Sequence, residues 1–210
     1  MITIHFEDAR QGLSKLPANS VDLILTDPPY PHEFVSLYGD LAREAKRVLK
    51  EGHYLFAYCG AHELPEILQL MTPHLDWFWL FEIKHNGGYP RMWNKKILVG
   101  SKPVVAFTKG KPLQLKWLSS LHVSKKADKK FHKWGQSCDF PRKIIEMYTK
   151  EGDTVLDPFV GGATTAKVCK ELNREFVGFE IDDSLKEVVK SRMSQECLRQ
   201  FLPAPEVCVK

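Results

Sequence analysis

The chain has little that would tie it to metals, disulfides or membranes. Its five cysteines, Cys59, Cys138, Cys169, Cys197 and Cys208, are scattered, odd in number and never spaced as C-x-x-C. That argues against a disulfide framework or a zinc ribbon and for a reduced, cytoplasmic setting. The eight histidines are equally dispersed, with no H-E-x-x-H pair, so no metal site is expected. No stretch approaches the ~18 uninterrupted apolar residues of a membrane span, and the first residues lack the basic-then-apolar pattern of a signal peptide. Walker and G-x-G-x-x-G phosphate loops are missing too, as are internal repeats and low-complexity tracts. The net charge of +4 is compatible with binding nucleic acid without pointing to it.

What is present is the composition of an ordinary globular protein, 43% apolar and 27% charged over 210 residues, enough for one sizeable domain and short for two. Strand-like and helix-like patterns alternate, which predicts an α/β fold with a mostly parallel sheet and helices on both faces. Strands are expected at Met1 to Phe6, Val21 to Thr26, His53 to Cys59, Asp76 to Lys84, Pro103 to Thr108, Thr154 to Leu156 and Glu175 to Glu180. The strand at Asp76 reads as too apolar for an exposed edge. Leu41, Ala42, Ala45, Val48 and Leu49 recur at helical spacing, with Gly52 as the residue that ends the helix. Further helices are expected from Glu63 to Met71, from a cap at Asp139 to Tyr148, from Thr164 to Leu172, and from a cap at Asp183 to about Phe201.

Four residues carry the most chemistry: Asp27-Pro28-Pro29-Tyr30, directly after the apolar run Val21 to Thr26. Neither proline can donate a backbone N–H, so the strand must stop and leave free carbonyl acceptors. The resulting rim offers a carboxylate, carbonyl oxygens and an aromatic face. That set suits a planar base bearing an amine: oxygens accept its N–H groups and the ring stacks.

A second segment, Thr154-Val155-Leu156-Asp157-Pro158-Phe159-Val160-Gly161-Gly162-Ala163-Thr164-Thr165, reads as strand, glycine turn and helix, and Glu180 closes the next strand. An acid at that offset of ~20 residues grips ribose hydroxyls in nucleotide folds. Asp157 stands where a pyrophosphate would approach and Pro158 removes a donor, so a phosphate is disfavoured. A carboxylate there attracts a ligand carrying a sulfonium and an α-amine, while glycine lets the backbone approach an adenosine. S-adenosylmethionine meets both demands.

Taken together and in this order, the two sites resemble the amino DNA methyltransferases that modify adenine N6 or cytosine N4. The arrangement is similar to their β group, a circular permutation in which the target-base half precedes the cofactor half. The resemblance runs from about Thr3 to Ile181. It implies a single Rossmann-like methyltransferase domain over 1–210, with a target-base half at 1–108, a basic recognition loop at 109–136, a cofactor half at 137–202 and a tail at 203–210. It further implies that Asp27 accepts a hydrogen bond from the target amine, that Pro28 and Pro29 supply the neighbouring acceptor and fixed shape, and that Tyr30 stacks on the extruded base. Asp157, Phe159, Gly161 and Thr164 match the cofactor loop, Glu180 the ribose acid, and Asp8 an early acid near the cofactor's adenine, although Asp8 also reads as a helix cap.

Two departures stand out. Trp134-Gly135-Gln136-Ser137 differs from the family's Gln-Lys-Pro around the glutamine matched by Gln136. Ala163 replaces a common glycine, which an alanine methyl tolerates if φ is negative.

The implied activity is methyl transfer from S-adenosylmethionine to the exocyclic amine of a flipped base in DNA, with adenine N6 favoured by Asp at position 27. Partners follow from charge. Lys109, Lys111, Lys116, Lys125, Lys126, Lys129, Lys130 and Lys133 crowd one segment together with Trp117, Phe131 and Trp134, a pattern that suits phosphates and stacked bases, or simply a solvated loop. Arg91, in the glycine-hinged stretch from Lys84 to Trp93, is expected to reach DNA, unless that stretch is a plain strand connection. The thin recognition region predicts a short site, relaxed specificity, or help from a homodimer partner or a separate specificity subunit. Cytosine N4, RNA adenine and protein glutamine remain open as targets, as do a small-molecule methyltransferase and a non-catalytic DNA-binding subunit of the same fold.

Overall fold

The computed structural model describes residues 1–84, 90–113, 115–124 and 137–194. Along the chain run β1 (Ile2–Phe6), α1 (Ala9–Lys15), β2 (Val21–Thr26), a 3-10 turn at His32–Phe34, α2 (Ser36–Val48), β3 (Leu49–Tyr58), α3 (Leu64–Met71), β4 (Asp76–Lys84), β5 (Arg91–Met92), β6 (Ile97–Leu98), β7 (Ser101–Thr108) and β8 (Leu121–Val123). They are followed by α4 (Asp139–Tyr148), β9 (Thr154–Asp157), α5 (Thr164–Glu171), β10 (Glu175–Glu180), a 3-10 turn at Asp183–Leu185 and α6 (Lys186–Ser194). Eight strands form one sheet in the order β1-β10-β9-β2-β3-β7-β4-β8. β1, β10, β9, β2 and β3 pair in parallel, β7 is antiparallel to both β3 and β4, and β8 lies parallel to β4.

Helices cover both faces, as the alternation predicts. On one face Leu13, Leu41, Ala45 and Ile67 of α1, α2 and α3 join a core with Ile24, Leu55, Val105 and Leu156. On the other, Ile144, Ala166, Val168 and Val189 of α4, α5 and α6 join Leu23, Leu25, Phe56 and Val155. A central strand between two helical layers has no solvent side, which is why β2 is buried at all six residues and shows no alternation. The pairing of Leu23 with Val155 and Ile24 with Leu156 levels the carboxyl ends of β2 and β9. At the opposite end the buried Asp22 accepts from Lys50 Nζ at 2.7 and 2.8 Å and from the Thr154 N–H at 3.0 Å, stitching β2 to its neighbours.

Several local expectations are corrected. α2 stops at Val48, and Gly52 lies inside β3 with φ +76°, where the pairing of β2 with β3 slips between Val21 and Leu23. A bulge needs the left-handed backbone as much as a helix end does. β4 is half an edge: β8 covers only Glu82–Lys84, leaving Trp77 and Trp79 exposed. β8 itself falls inside the stretch 109–136, expected to be a basic recognition loop without regular structure. Asp139 is the first residue of α4 with Cys138 before it as cap, and Asp182, not Asp183, caps the final 3-10 turn through the Ser184 N–H. Lys109 is buried, its ammonium donating to Asn19 Oδ1 at 2.5 Å and to the Leu49 carbonyl at 2.7 Å, so it braces β3 rather than joining a solvated cluster. No described helix is long and apolar enough to cross a membrane.

Candidate active site

Both motifs sit at the carboxyl edge of the sheet, on neighbouring parallel strands, which is where open α/β folds build crevices. The last residue of β2, Thr26, donates its hydroxyl to Asp157 Oδ1 at 2.7 Å, and the Phe159 N–H donates to the same oxygen at 3.1 Å. Burial pushes the Asp157 carboxyl up to about 7. Hydrogen bonds from Thr26, Phe159 and Thr165 pull the other way, and the charge of Asp27 pushes it further up. The two acids therefore share one electrostatic neighbourhood.

Past Asp157 the chain turns through Gly161 at φ +50°, where an added Cβ would meet nothing within 4 Å. The backbone there is open to an approaching group. Glu180, at the end of β10, accepts the Gly161 N–H on Oε2 at 2.7 Å and the Asp182 N–H on Oε1 at 2.8 Å, so it fixes the turn from beside it. Arg192 of α6, fully buried, donates from Nη1 to the Gly162 carbonyl at 2.7 Å. Thr164 opens α5 directly behind. Ala163 is left-handed, with φ 57° and ψ 36°, and buried. The negative φ on which its tolerance rested is thus not met; a side chain in this region costs roughly 1–2 kcal/mol.

Asp27 begins where β2 ends, with Pro28 buried beneath the rim. Its carboxylate accepts from Lys102 Nζ at 3.1 Å on each oxygen and from the Tyr30 hydroxyl in a short contact on Oδ1. The Lys102 ammonium also lies 4.6 Å from the Tyr30 ring centre and 4.5 Å from that of Tyr58. Tyr30 is 38% exposed over its whole surface, with its hydroxyl end held on Asp27. Burial of that end, then the Asp27 charge, raises the phenol well above its ordinary value. Tyr58, at the end of β3, is buried; burial, with Asp27 and Asp157 adding to it, pushes its phenol well up. The Tyr38 hydroxyl holds the Tyr58 carbonyl at 2.7 Å. Burial lowers Lys102, and Asp27 resists that shift.

The remaining site expectations fall apart from this centre or outside the described residues. Asp8 caps α1 by accepting the Arg10 N–H at 2.9 Å and pairs with the Arg10 guanidinium. The cap reading of Asp8 is therefore realised, while it also lies just beyond the carboxyl end of β1. Arg91 is exposed on the small β5–β6 hairpin, its guanidinium 5.4 Å from the Trp93 ring centre, with Lys96 Nζ 5.7 Å from the same ring. That hairpin connects the carboxyl end of β4 to the start of β7, so it belongs to the same edge of the sheet as Asp27. Lys125, Lys126, Lys129, Lys130 and Gln136, and residues 85–89 of the glycine-hinged stretch, lie outside the described residues.

Sequence reading overlooked Lys102, Tyr58 and Arg192. A usable signal existed for the first: a lysine at the head of the otherwise apolar run Val104 to Phe107. Nothing local marks the other two.

Residues 82–191 match the N6/N4 family of DNA methylases, a span that takes in Lys102 and the glycine turn. Over 232 aligned positions the chain is 27% identical to the type II methyltransferase M.HpaI of Haemophilus parainfluenzae, covering 90% of this chain and 73% of that protein. Among solved structures, the M1.HpyAVI–SAM complex superposes with a TM-score of 0.74 at 25% identity, covering 93% of this chain and all of that one. The cytosine-N4-specific PvuII DNA methyltransferase superposes with a TM-score of 0.80 at 18% identity, over 92% of this chain and 86% of its own, a likeness of fold.

Proposed function

The chain belongs to the N6/N4 family of DNA methylases, and on that premise we propose that it methylates the exocyclic amine of a base flipped out of DNA, with adenine N6 as the target and S-adenosylmethionine as donor. The observation that carries this reading is the Thr26 hydroxyl bonded to Asp157 at 2.7 Å, because it ties the residue just before the amine-binding rim to the acid that leads into the glycine turn.

The donor site fits its ligand on three counts. Gly161 leaves the backbone bare, Asp157 offers a buried carboxylate to positive charge, and Glu180 holds an acid beside the turn. Phe159 and Thr164 flank that turn and complete the set. When bound, S-adenosylmethionine supplies an electrophilic methyl on a positively charged sulfur. A solved relative, M1.HpyAVI, is described as a SAM complex.

The chain's own residues do the rest. An exocyclic amine is a poor nucleophile because its lone pair is delocalised into the ring. Asp27, with the Pro28–Pro29 carbonyls, accepts the amine's N–H groups and localises that lone pair on nitrogen. As the N–C bond would form and the donor's C–S bond break, leaving a neutral thioether, positive charge would grow on nitrogen until one of its protons departs. The attraction to Asp27 would therefore strengthen towards the transition state and raise rate rather than affinity. Extruding the base costs a few kcal/mol, which stacking on Tyr30 partly offsets. Arg91 and the lysines 125, 126, 129 and 130 supply phosphate contacts.

Adenine is favoured over cytosine by the acid at position 27. The test is labelled-methyl transfer to DNA, followed by sequencing of modified bases in cells expressing the chain. Methylated adenine is the expected product; N4-methylcytosine would reassign the base, and unlabelled DNA alongside labelled RNA or protein would end the reading.

A further inference from the structure

Lys102 comes from the head of β7, 75 residues after Asp27, and Pro103 behind it holds its backbone extended. An ammonium carries three N–H donors. Two contacts reach Asp27, each at 3.1 Å, and among the described residues the ammonium also faces the rings of Tyr30 and Tyr58, 4.6 and 4.5 Å from their centres. The pair is also loose. The equivalent two-oxygen contact between Lys50 and Asp22 closes to 2.7 and 2.8 Å in the same molecule. Lys102 thus lies beside Asp27 and near the Tyr30 ring, in longer bonds than the Lys50–Asp22 pair and with one of its three N–H donors not taken up by Asp27.

Adenine presents an amidine edge: the amine, and next to it the ring nitrogen N1 with an in-plane lone pair. With C–N bonds near 1.33 Å at a trigonal carbon, those two nitrogens are roughly 2.3 Å apart. An acceptor and a donor 3.1 Å apart can engage both at once through nearly parallel hydrogen bonds. Asp27 takes the amine's N–H, and the Lys102 ammonium pivots off one carboxylate oxygen to donate to the ring nitrogen.

We propose that Lys102 is a specificity-determining residue that reads the ring nitrogen beside the target amine, so that Asp27 and Lys102 together recognise an amidine edge rather than an amine alone. This rests on the base-methylation reading above. It explains why a partly buried lysine faces the amine acceptor, where an ion pair alone would only fill the acceptor's lone pairs. Thymine, with an oxygen in place of the amine and N–H in place of the bare ring nitrogen, presents the opposite pattern.

The test replaces one atom. Duplexes carrying the sequence that the enzyme methylates in cells are made with adenine, 1-deazaadenine or 7-deazaadenine at the target, and single-turnover methylation is compared for wild type, Lys102→Met and Lys102→Arg. A charge-assisted hydrogen bond predicts that wild type favours adenine over 1-deazaadenine by roughly ten- to a hundredfold. That preference collapses towards unity in Lys102→Met and is partly restored in Lys102→Arg, while 7-deazaadenine behaves like adenine throughout. A purely structural lysine would lower all rates together and leave the ratio unchanged. Equal rates on adenine and 1-deazaadenine in wild type, or an undiminished ratio in Lys102→Met, overturns the proposal, and the wild-type comparison stands even if a variant does not fold. Failure to methylate adenine at all would instead sink the base-methylation reading, which separates the two.

Discussion

Replacing Asp157 by Asn should make the cofactor-free protein more stable at alkaline pH while crippling cofactor binding. The carboxyl rises from 3.8 to about 7 on folding, chiefly by burial. Its side chain is almost inaccessible, so solvent screening is weak. A shift of about three units corresponds to ~4 kcal/mol against the ionised form in the fold. Between about pH 4 and 7 the folded chain holds a proton that the unfolded chain has lost. Stability from this group is therefore greatest at acidic pH and is lost as pH rises through 7, by ~3 kcal/mol between pH 5 and 8.

Asn keeps the oxygen that accepts from Thr26 and Phe159, at 2.7 and 3.1 Å, and carries no charge. Urea unfolding of both proteins across that range, without cofactor, should show the variant gaining ~3 kcal/mol on wild type towards pH 8. For a chain of this size that is ~6–12 °C in thermal midpoint. Calorimetry with S-adenosylmethionine should show wild-type affinity rising through pH 7 and the variant's staying weak and flat. Parallel pH–stability curves would refute the argument, since they would mean that Asp157 is ionised in the fold at no cost.

Other consequences are quicker to state. On the proposed mechanism Asp27→Asn removes the charge that answers the developing cation, so kcat should fall at least ~100-fold while cofactor affinity stays within about threefold; loss of cofactor binding instead would move Asp27 out of the amine site. Glu180→Gln weakens the acceptor of the Gly161 and Asp182 N–H groups, and calorimetry should find cofactor affinity down by about tenfold or more with kcat at saturation nearly unchanged. Ala163→Gly relieves ~1–2 kcal/mol of left-handed strain and forfeits ~0.8 kcal/mol of methyl burial, so urea unfolding should show a net gain below ~1 kcal/mol; a clear destabilisation would contradict the strain. Tyr30→Ala should cost ~1–3 kcal/mol of base stacking, read as a reduced fluorescence rise from 2-aminopurine at the target, whereas Tyr30→Phe keeps it.

What could be read from the sequence were features whose physics is local. Two prolines end β2 wherever that strand lies, and they expose Asp27 at its tip whatever packs nearby. Gly161 announces a turn because left-handed backbone is cheap only without a side chain. The order of the longer strands and of five of the six helices followed from periodicity, and with it the two helical layers, whereas α1, β5, β6 and β8 did not. The places where reading failed are those where distant chain decides local shape. Gly52 looks like a helix end but becomes a bulge because Leu49 pairs with Val21. Ala163 is forced left-handed despite its methyl, inside a turn packed beneath α6. Lys109 belongs to a basic run in the sequence, yet the fold buries it against Asn19 and Leu49.

The chemistry divides in the same way. Sequence alone determined that an acid, a rigid rim and a ring stand together at 27–30, since covalent neighbours cannot separate. Only the tertiary structure decided that β9 lies beside β2, bringing Thr26 onto Asp157, and that β7 returns antiparallel along β3 to set Lys102 over Asp27. Strand order is settled by which apolar faces bury each other across the whole sheet. That global sum leaves no mark at the residues it brings together.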